Sequence, residues 1–231
     1  MRTLHLVDEP YDSGVVHYAL SSAKALSQRG HLSVIGALDG LPPARRAESL
    51  GLRTFAYSRP WLDLPRLRRF LREESVDILA AHTGSAHSLA VAAALAAPAG
   101  SCRVVRVRAG AQAPRRRPLS GSLWSRTTGF IAANRAILDA ARPLLEPGKT
   151  PSAVIFPGIE DPGPPAPFPA GGPVIGILGR LDPVKGHEVF LQAAALILRR
   201  VPEASFLAAG REENVKTASL QSHARELGIG G

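Results

Sequence analysis

Along this chain, short runs of nearly continuous apolar residues alternate with longer segments in which apolar positions recur every three to four residues. TLHLV (Thr3 to Val7) reads as a buried strand. GVVHYALSSAKALSQRG follows it, with Val16, Ala19, Leu20, Ala23 and Leu26 on one helical face and Gly30 placed to end the helix. HLSVIG (His31 to Gly36) and RTFAY (Arg53 to Tyr57) read as strands. DLPRLRRFLREE (Asp63 to Glu74) reads as an amphipathic helix with Asp63 near its start and a solvated face of arginines. Further strands are expected at VDILAAH (Val76 to His82), RVVRV (Arg103 to Val107), GFIAA (Gly129 to Ala133) and SAVIF (Ser152 to Phe156), with helices over Ser85 to Ala97 and Asn134 to Leu145. Strand and helix in alternation imply right-handed crossovers and a parallel sheet covered on both faces.

The pattern breaks at PGIEDPGPPAPFPAGGP, residues 157–173, where seven prolines and four glycines can continue neither helix nor sheet. It reads as a semi-rigid linker between domains. The alternation then restarts with a strand at Val174 to Leu178, a helix from His187 to Arg200, a strand at Ser205 to Gly210 and a helix from Asn214 to Leu227. The expected organisation is therefore α/β throughout: a first domain over 1–156, the linker over 157–173, and a partial second domain over 174–231.

Composition narrows the function classes. With 45% hydrophobic residues in 231, the chain can bury a substantial core. Its longest apolar stretch, residues 89–99, is too short to cross a bilayer, and Asp8 and Glu9 interrupt the N-terminus before a signal-peptide core can develop, so a cytoplasmic location is expected. Cys102 stands alone and reads as a core thiol. The seven histidines show no metal-ligand spacing, so no metal or other cofactor is expected, and no G-x-S-x-G nucleophile turn or G-x-G-x-x-G dinucleotide turn occurs. The net charge of +9 is concentrated: residues 103–142 hold nine arginines against one acid, Asp139. Arg115, Arg116 and Arg117 make an anion-facing cluster on a proline-flanked loop, suited to a phosphorylated acceptor or to peripheral contact with an anionic membrane at its inner face. Nucleic acid is a poorer partner, because the basic segment lacks the interleaved aromatics that stack bases.

Candidate chemistry lies in the turns after strands, where parallel sheets bind ligands. In GILGRLDPVKGHEVF, Arg180 and Lys185 sit between a strand and a helix N-terminus, with Gly179 and Gly186 leaving room for a phosphate. Spacing alone reads equally well as a solvated surface loop. Gly14, in DEPYDSGVVHY, either admits a phosphate or simply starts its helix. His82 ends the strand DILAAH, where a histidine serves structure or chemistry; His87 falls on the next helix.

These segments carry a resemblance. GILGRLDPVKGHEVFLQAAALILRRVPEASFLAAG resembles the start of the donor-binding domain of family 4 retaining glycosyltransferases, which have two Rossmann-like domains in the GT-B architecture. SGVVHYALSSAKALSQRGHLSVIG resembles the family's first glycine loop, helix and second strand, VDILAAHTGSAHSLA the strand ending in the family's histidine, and VIFPGIE the hinge strand. The resemblance covers essentially the whole chain. It implies a nucleotide-sugar donor and a glycan or lipid-linked acceptor, in glycan, glycolipid or cell-envelope biosynthesis. It implies Arg180 and Lys185 binding the donor diphosphate, Gly14 admitting it, and His82 beside the transferred sugar. Ser13 departs from the usual first glycine, and Glu160 replaces the usual aspartate after the hinge. The family's E-x7-E motif and nucleotide-base pocket have no counterpart here, so the chain reads as a piece of a longer enzyme, inactive alone. The alternative is a non-catalytic binding protein of the same fold.

Overall fold

All seven strand-like runs before the linker are strands: β1 (Arg2–Val7), β2 (Leu32–Leu38), β3 (Arg53–Tyr57), β4 (Ile78–Ala81), β5 (Arg103–Arg108), β6 (Gly129–Ala132) and β7 (Ser152–Val154). They form one parallel sheet in the order β3-β2-β1-β4-β5-β6-β7. The computed structural model describes residues 1–96, 102–110, 120–159, 161–165, 167 and 171–230. They divide into two units, Met1–Asp161 and Pro162–Gly231, with the division inside the proline-rich segment.

Right-handed crossovers decide which face each helix covers. From β1 the chain steps to β2 and β3 in one direction, so α1 (Gly14–Gln28) and α2 (Pro42–Ser49) lie on one face. It then crosses to β4 and steps the other way, which places α3 (Leu64–Glu73), α4 (Gly84–Ala94), α5 (Ser120–Trp124) and α6 (Arg135–Ala141) on the opposite face. Two packing clusters follow the pleat. Leu4, Leu6, Val34 and Leu79 meet Leu67 and Leu71 of α3 and Ala86, Leu89 and Ala90 of α4. Val7, Ile35 and Ala37 meet Val16, Ala19, Leu20 and Ala23 of α1.

The expected cover of both faces is only partly realised. Among the described residues, no helix of this unit lies on the α1 side over β5 and β6. There Val105 and Ile131 are half-buried and floor an open cavity of about 830 Å³.

Asp63 stands at the start of α3 as expected, and its carboxylate accepts the N–H groups of Ser58 (2.9 Å) and Arg59 (3.1 Å), closing the turn before the helix. Helix α2 begins on two prolines with few apolar residues, yet buries Pro43, Ala44 and Ala47 against β2 and β3. Cys102 is half-buried beside the α3–α4 cluster, and burial pushes its thiol up to about 11, as an inert thiol requires.

The second unit contains β8 (Val174–Leu178), α7 (His187–Leu198), β9 (Ser205–Ala209) and α8 (Thr217–Glu226), with β8 and β9 parallel. Strands of a parallel sheet are normally buried on both faces. Here Leu178 is 88% and Leu207 60% exposed, so these residues have the composition of a sheet interior without its cover. No helix among the described residues is long and apolar enough to cross a membrane.

Candidate functional site

β1 and β4 are neighbours at the place where the direction of strand order reverses, and in open parallel sheets the loops leaving such a pair diverge and open a crevice. The loop after β1 is held by its own polar groups. Ser13 caps α1, accepting the Val16 N–H at 3.3 Å, while its hydroxyl donates to the Glu9 carboxylate. Gly14 is the first residue of α1, and a methyl group there would meet nothing within 4 Å, so the opening turn is accessible to an approaching group. Across the reversal, Thr83 caps α4 by accepting the Ala86 N–H at 3.2 Å, and its hydroxyl donates to the Asp8 carboxylate. The ends of β1 and β4 are thereby joined.

His82 lies just before that cap. Its backbone N–H donates to the Leu6 carbonyl (2.9 Å), extending the pairing of β4 with β1, and its ring is 3% exposed. Its Nε2 is 3.1 Å from His5 Nδ1. Burial first, then His5 and the Arg106 guanidinium, hold the His82 imidazole well below its usual range, so the ring is neutral at physiological pH.

Arg106 is a residue that sequence reasoning counted only as part of a basic segment. It is 5% exposed, and its Nη1 donates to the carbonyls of Ala81 (2.7 Å) and Val107 (2.6 Å). Burial, then Arg108, lowers it to about 9, which leaves it a cation at neutral pH near the end of β4. Its sequence signal was its place two residues after Val104, on the same face of a strand of this sheet. His87 is on α4 as expected, with Nε2 2.8 Å from the Thr127 hydroxyl; burial pushes it down to about 3. It belongs to the core.

In the second unit, Arg180 and Lys185 lie on one turn between β8 and α7. Asp182 organises that turn: its carboxylate accepts the Val184 N–H (3.0 Å) and the Asn214 side-chain amide (2.7 Å). A short 3-10 turn, Pro183–Lys185, ends at Gly186 in the left-handed region (φ 74°), a conformation that glycine adopts without steric cost. Lys185 then folds back along Gly179, where a methyl group would touch its chain at 3.5 Å. His187 Nε2 lies 3.0 Å from the Arg180 carbonyl oxygen and so is its N–H donor, tying the start of α7 to the turn. The Arg180 guanidinium is 3.3 Å from Glu213, which also pairs with Arg211 at 3.6 Å. Glu213 carried no signal in the sequence, because it reaches the turn from beyond β9.

Gly14 and His82 thus lie in the first unit and Arg180 and Lys185 in the second. Arg115, Arg116, Arg117 and Glu160 lie outside the described residues. Among the described residues, no group of three or more His, Cys, Asp or Glu side chains could hold a metal ion.

With this geometry in place, comparisons with known proteins are informative. The sequence pattern of the family described as Glycosyltransferase Family 4 matches residues 13–161, and that of Glycosyl transferases group 1 matches residues 164–230. A search among curated proteins finds no match. Among solved structures, Anabaena Alr3699/HepE in complex with UDP and glucose is similar with a TM-score of 0.66 at 17% identity, over 99% of this chain and 67% of that one. Acinetobacter baumannii MurG has a TM-score of 0.61 at 14% identity, over 98% of this chain and 63% of that one. S. aureus TarM, as a mutant in complex with fondaparinux, alpha-GlcNAc-glycerol and UDP, has a TM-score of 0.68 at 8% identity, over 99% and 76%. At these identities the likeness is one of fold, and this chain spans about two thirds of the length of the first two.

The turn that carries Arg180 and Lys185 has a pH dependence of known sign. The Val184 N–H, then Asn214, then the two cations hold the Asp182 carboxyl below its ordinary value. Its contribution is therefore fully present above the unfolded value of about 4 and is lost as pH falls through the lower folded one. Hydrogen exchange should show Val184 amide protection steady from about pH 5 to 7 and falling below about pH 4. In Asp182→Ala, protection should be low and flat throughout.

Proposed function

The chain belongs to glycosyltransferase family 4, and from that premise we propose that it binds a nucleoside-diphosphate sugar and serves its transfer to a glycan or lipid-linked acceptor, with retention of anomeric configuration. The observation that carries the reading is the β8–α7 turn, where Arg180 and Lys185 meet the N-terminus of α7 within the segment matched to Glycosyl transferases group 1. Similar folds have been solved with UDP, UDP-glucose and alpha-GlcNAc-glycerol, which makes UDP the suitable probe.

In this reading the turn stabilises the charge that develops on the departing diphosphate. Fixed cations and helix N–H groups act more strongly on a leaving anion than on the bound ground state, which is what accelerates bond cleavage. Arg180 offers two parallel donors and Lys185 a point charge. Glu213 yields Arg180 to the incoming phosphate. Gly14 leaves the opening turn of α1 clear for a phosphate, and His82 offers a neutral polar edge to the sugar. The chemistry assigned to these groups needs no metal or other cofactor. The protein works at the cytoplasmic side of a membrane, with Arg115, Arg116 and Arg117 touching anionic lipid or a phosphorylated acceptor.

Calorimetry with UDP should show that Arg180→Ala and Lys185→Ala each weaken binding by roughly 1–3 kcal/mol, the scale of a hydrogen bond to a charged group. Arg180→Ala should lose more, because it leaves Glu213 facing the anion. Unchanged affinity in both variants would remove the phosphate-site assignment. Replacement of Arg115, Arg116 and Arg117 together by serine should reduce retention on anionic vesicles, with UDP affinity unaltered; equal retention would return the cluster to compositional bias. The 231-residue chain itself should bind UDP without sustaining turnover, since it has no paired-glutamate segment and the described residues of its second unit form a two-stranded sheet. Continuous UDP release from UDP-glucose, abolished by Arg180→Ala, would show that expectation to be wrong.

A further inference from the structure

The two histidines at the β1–β4 junction share a single hydrogen bond, and that leaves a definite proton inventory. His5 faces Ala80 in the register of β1 with β4, so His5 and His82 project from the same sheet face. Their rings stack at 5.4 Å with 27° between planes, and His5 Nδ1 lies 3.1 Å from His82 Nε2. Tyr18 closes over His82 edge-on at 6.2 Å, but its hydroxyl donates to the Ile155 carbonyl at 2.7 Å and serves neither imidazole. The two remaining ring nitrogens, His5 Nε2 and His82 Nδ1, are buried and have no partner among the described residues. Both rings line the open cavity on this sheet face.

Burial keeps both rings neutral, so each carries one N–H and one lone pair. The shared bond consumes one of each. Either His5 donates, which leaves an N–H on His82 Nδ1, or His82 donates, which leaves a lone pair there. The first arrangement puts both rings in the Nδ1–H tautomer and the second puts both in the Nε2–H tautomer, the one a free histidine side chain prefers.

We infer that His5 is a positioning residue for His82: its Nδ1 accepts the His82 Nε2–H, fixing His82 in the tautomer whose Nδ1 offers a buried lone pair to a ligand hydroxyl group. The ligand half of this inference rests on the donor-sugar reading above, under which the hydroxyl belongs to the transferred sugar. The tautomer half does not.

The experiment is long-range 1H–15N correlation on the full chain with ring-labelled histidine at pH 7. Both rings should show a pyridine-type Nδ1 and a pyrrole-type Nε2. His5→Asn, whose amide oxygen stands near the lost Nδ1, should preserve the His82 pattern. His5→Leu, which offers no acceptor, should move both His82 nitrogens toward averaged shifts. A pyrrole-type Nδ1 on His82 in the unaltered chain overturns the inference, as does an identical His82 pattern in His5→Leu. If His5→Leu does not fold, the unaltered chain and His5→Asn decide the matter. UDP-glucose should then shift His82 Nδ1 where UDP does not. Binding of both without that shift overturns the hydroxyl assignment alone. Failure of either to bind removes the donor reading and the hydroxyl with it, and leaves the tautomer result standing.

Discussion

The pairing of β1 with β4 is the constraint on which the rest of the first unit depends. The chain winds one way from β1 and the other way from β4, so this pair alone joins two oppositely wound halves. Their helices leave the sheet on opposite faces, and nothing in either winding direction holds the two loop ends together. Two side-chain contacts and one backbone bond supply that hold. Thr83 bonds to Asp8 across the junction, the His82 N–H extends the ladder to Leu6, and the His5–His82 bond lies beneath. A crevice at this point is a consequence of topology. Its shape is a consequence of those three contacts.

The fold was legible in the sequence because strands buried on both faces read as short apolar runs, and each run read as a strand became one. Helices with an apolar stripe were equally plain. Helix α2 was not, since PPARRAES buries only small residues and prolines. The sheet face left half-bare among the described residues was also beyond reach: alternation predicts covering helices but does not say on which side each returns, and the reversal sends four of the six described helices of this unit to one side. Site residues divide in the same way. Gly14, Arg180 and Lys185 stand in turns whose punctuation is local. His5, Arg106 and Glu213 act through partners 77, 25 and 33 positions away in sequence, and pairing of that range depends on strand register, which one chain of letters does not carry.

The two units handle polarity by different means. In the first, His5 and His82 are desolvated until neutral, and Arg106 keeps its charge near the Asp8 carboxylate with backbone carbonyls accepting its N–H groups. Such groups are costly to bury and rigid once satisfied, which suits them to orienting a neutral ligand. In the second unit the charged groups remain near water. Arg180 is 43% exposed and Glu213 35%, so their attraction is screened and is worth about 0–1 kcal/mol.

That weakness has a use if the Arg180 turn receives an anion. A cation with no partner would be free to sample many rotamers, and ordering it on binding would oppose association. A buried, tightly paired cation would resist exchange, because removal of either partner leaves an uncompensated charge. An exposed pair at 3.3 Å avoids both problems: Glu213 keeps the guanidinium on the β8–α7 turn yet gives it up at small cost. A phosphate group brings more negative charge than a carboxylate and can accept two parallel N–H bonds, so the exchange is favourable in direction. Arg211, already 3.6 Å from Glu213, is placed to take the displaced carboxylate.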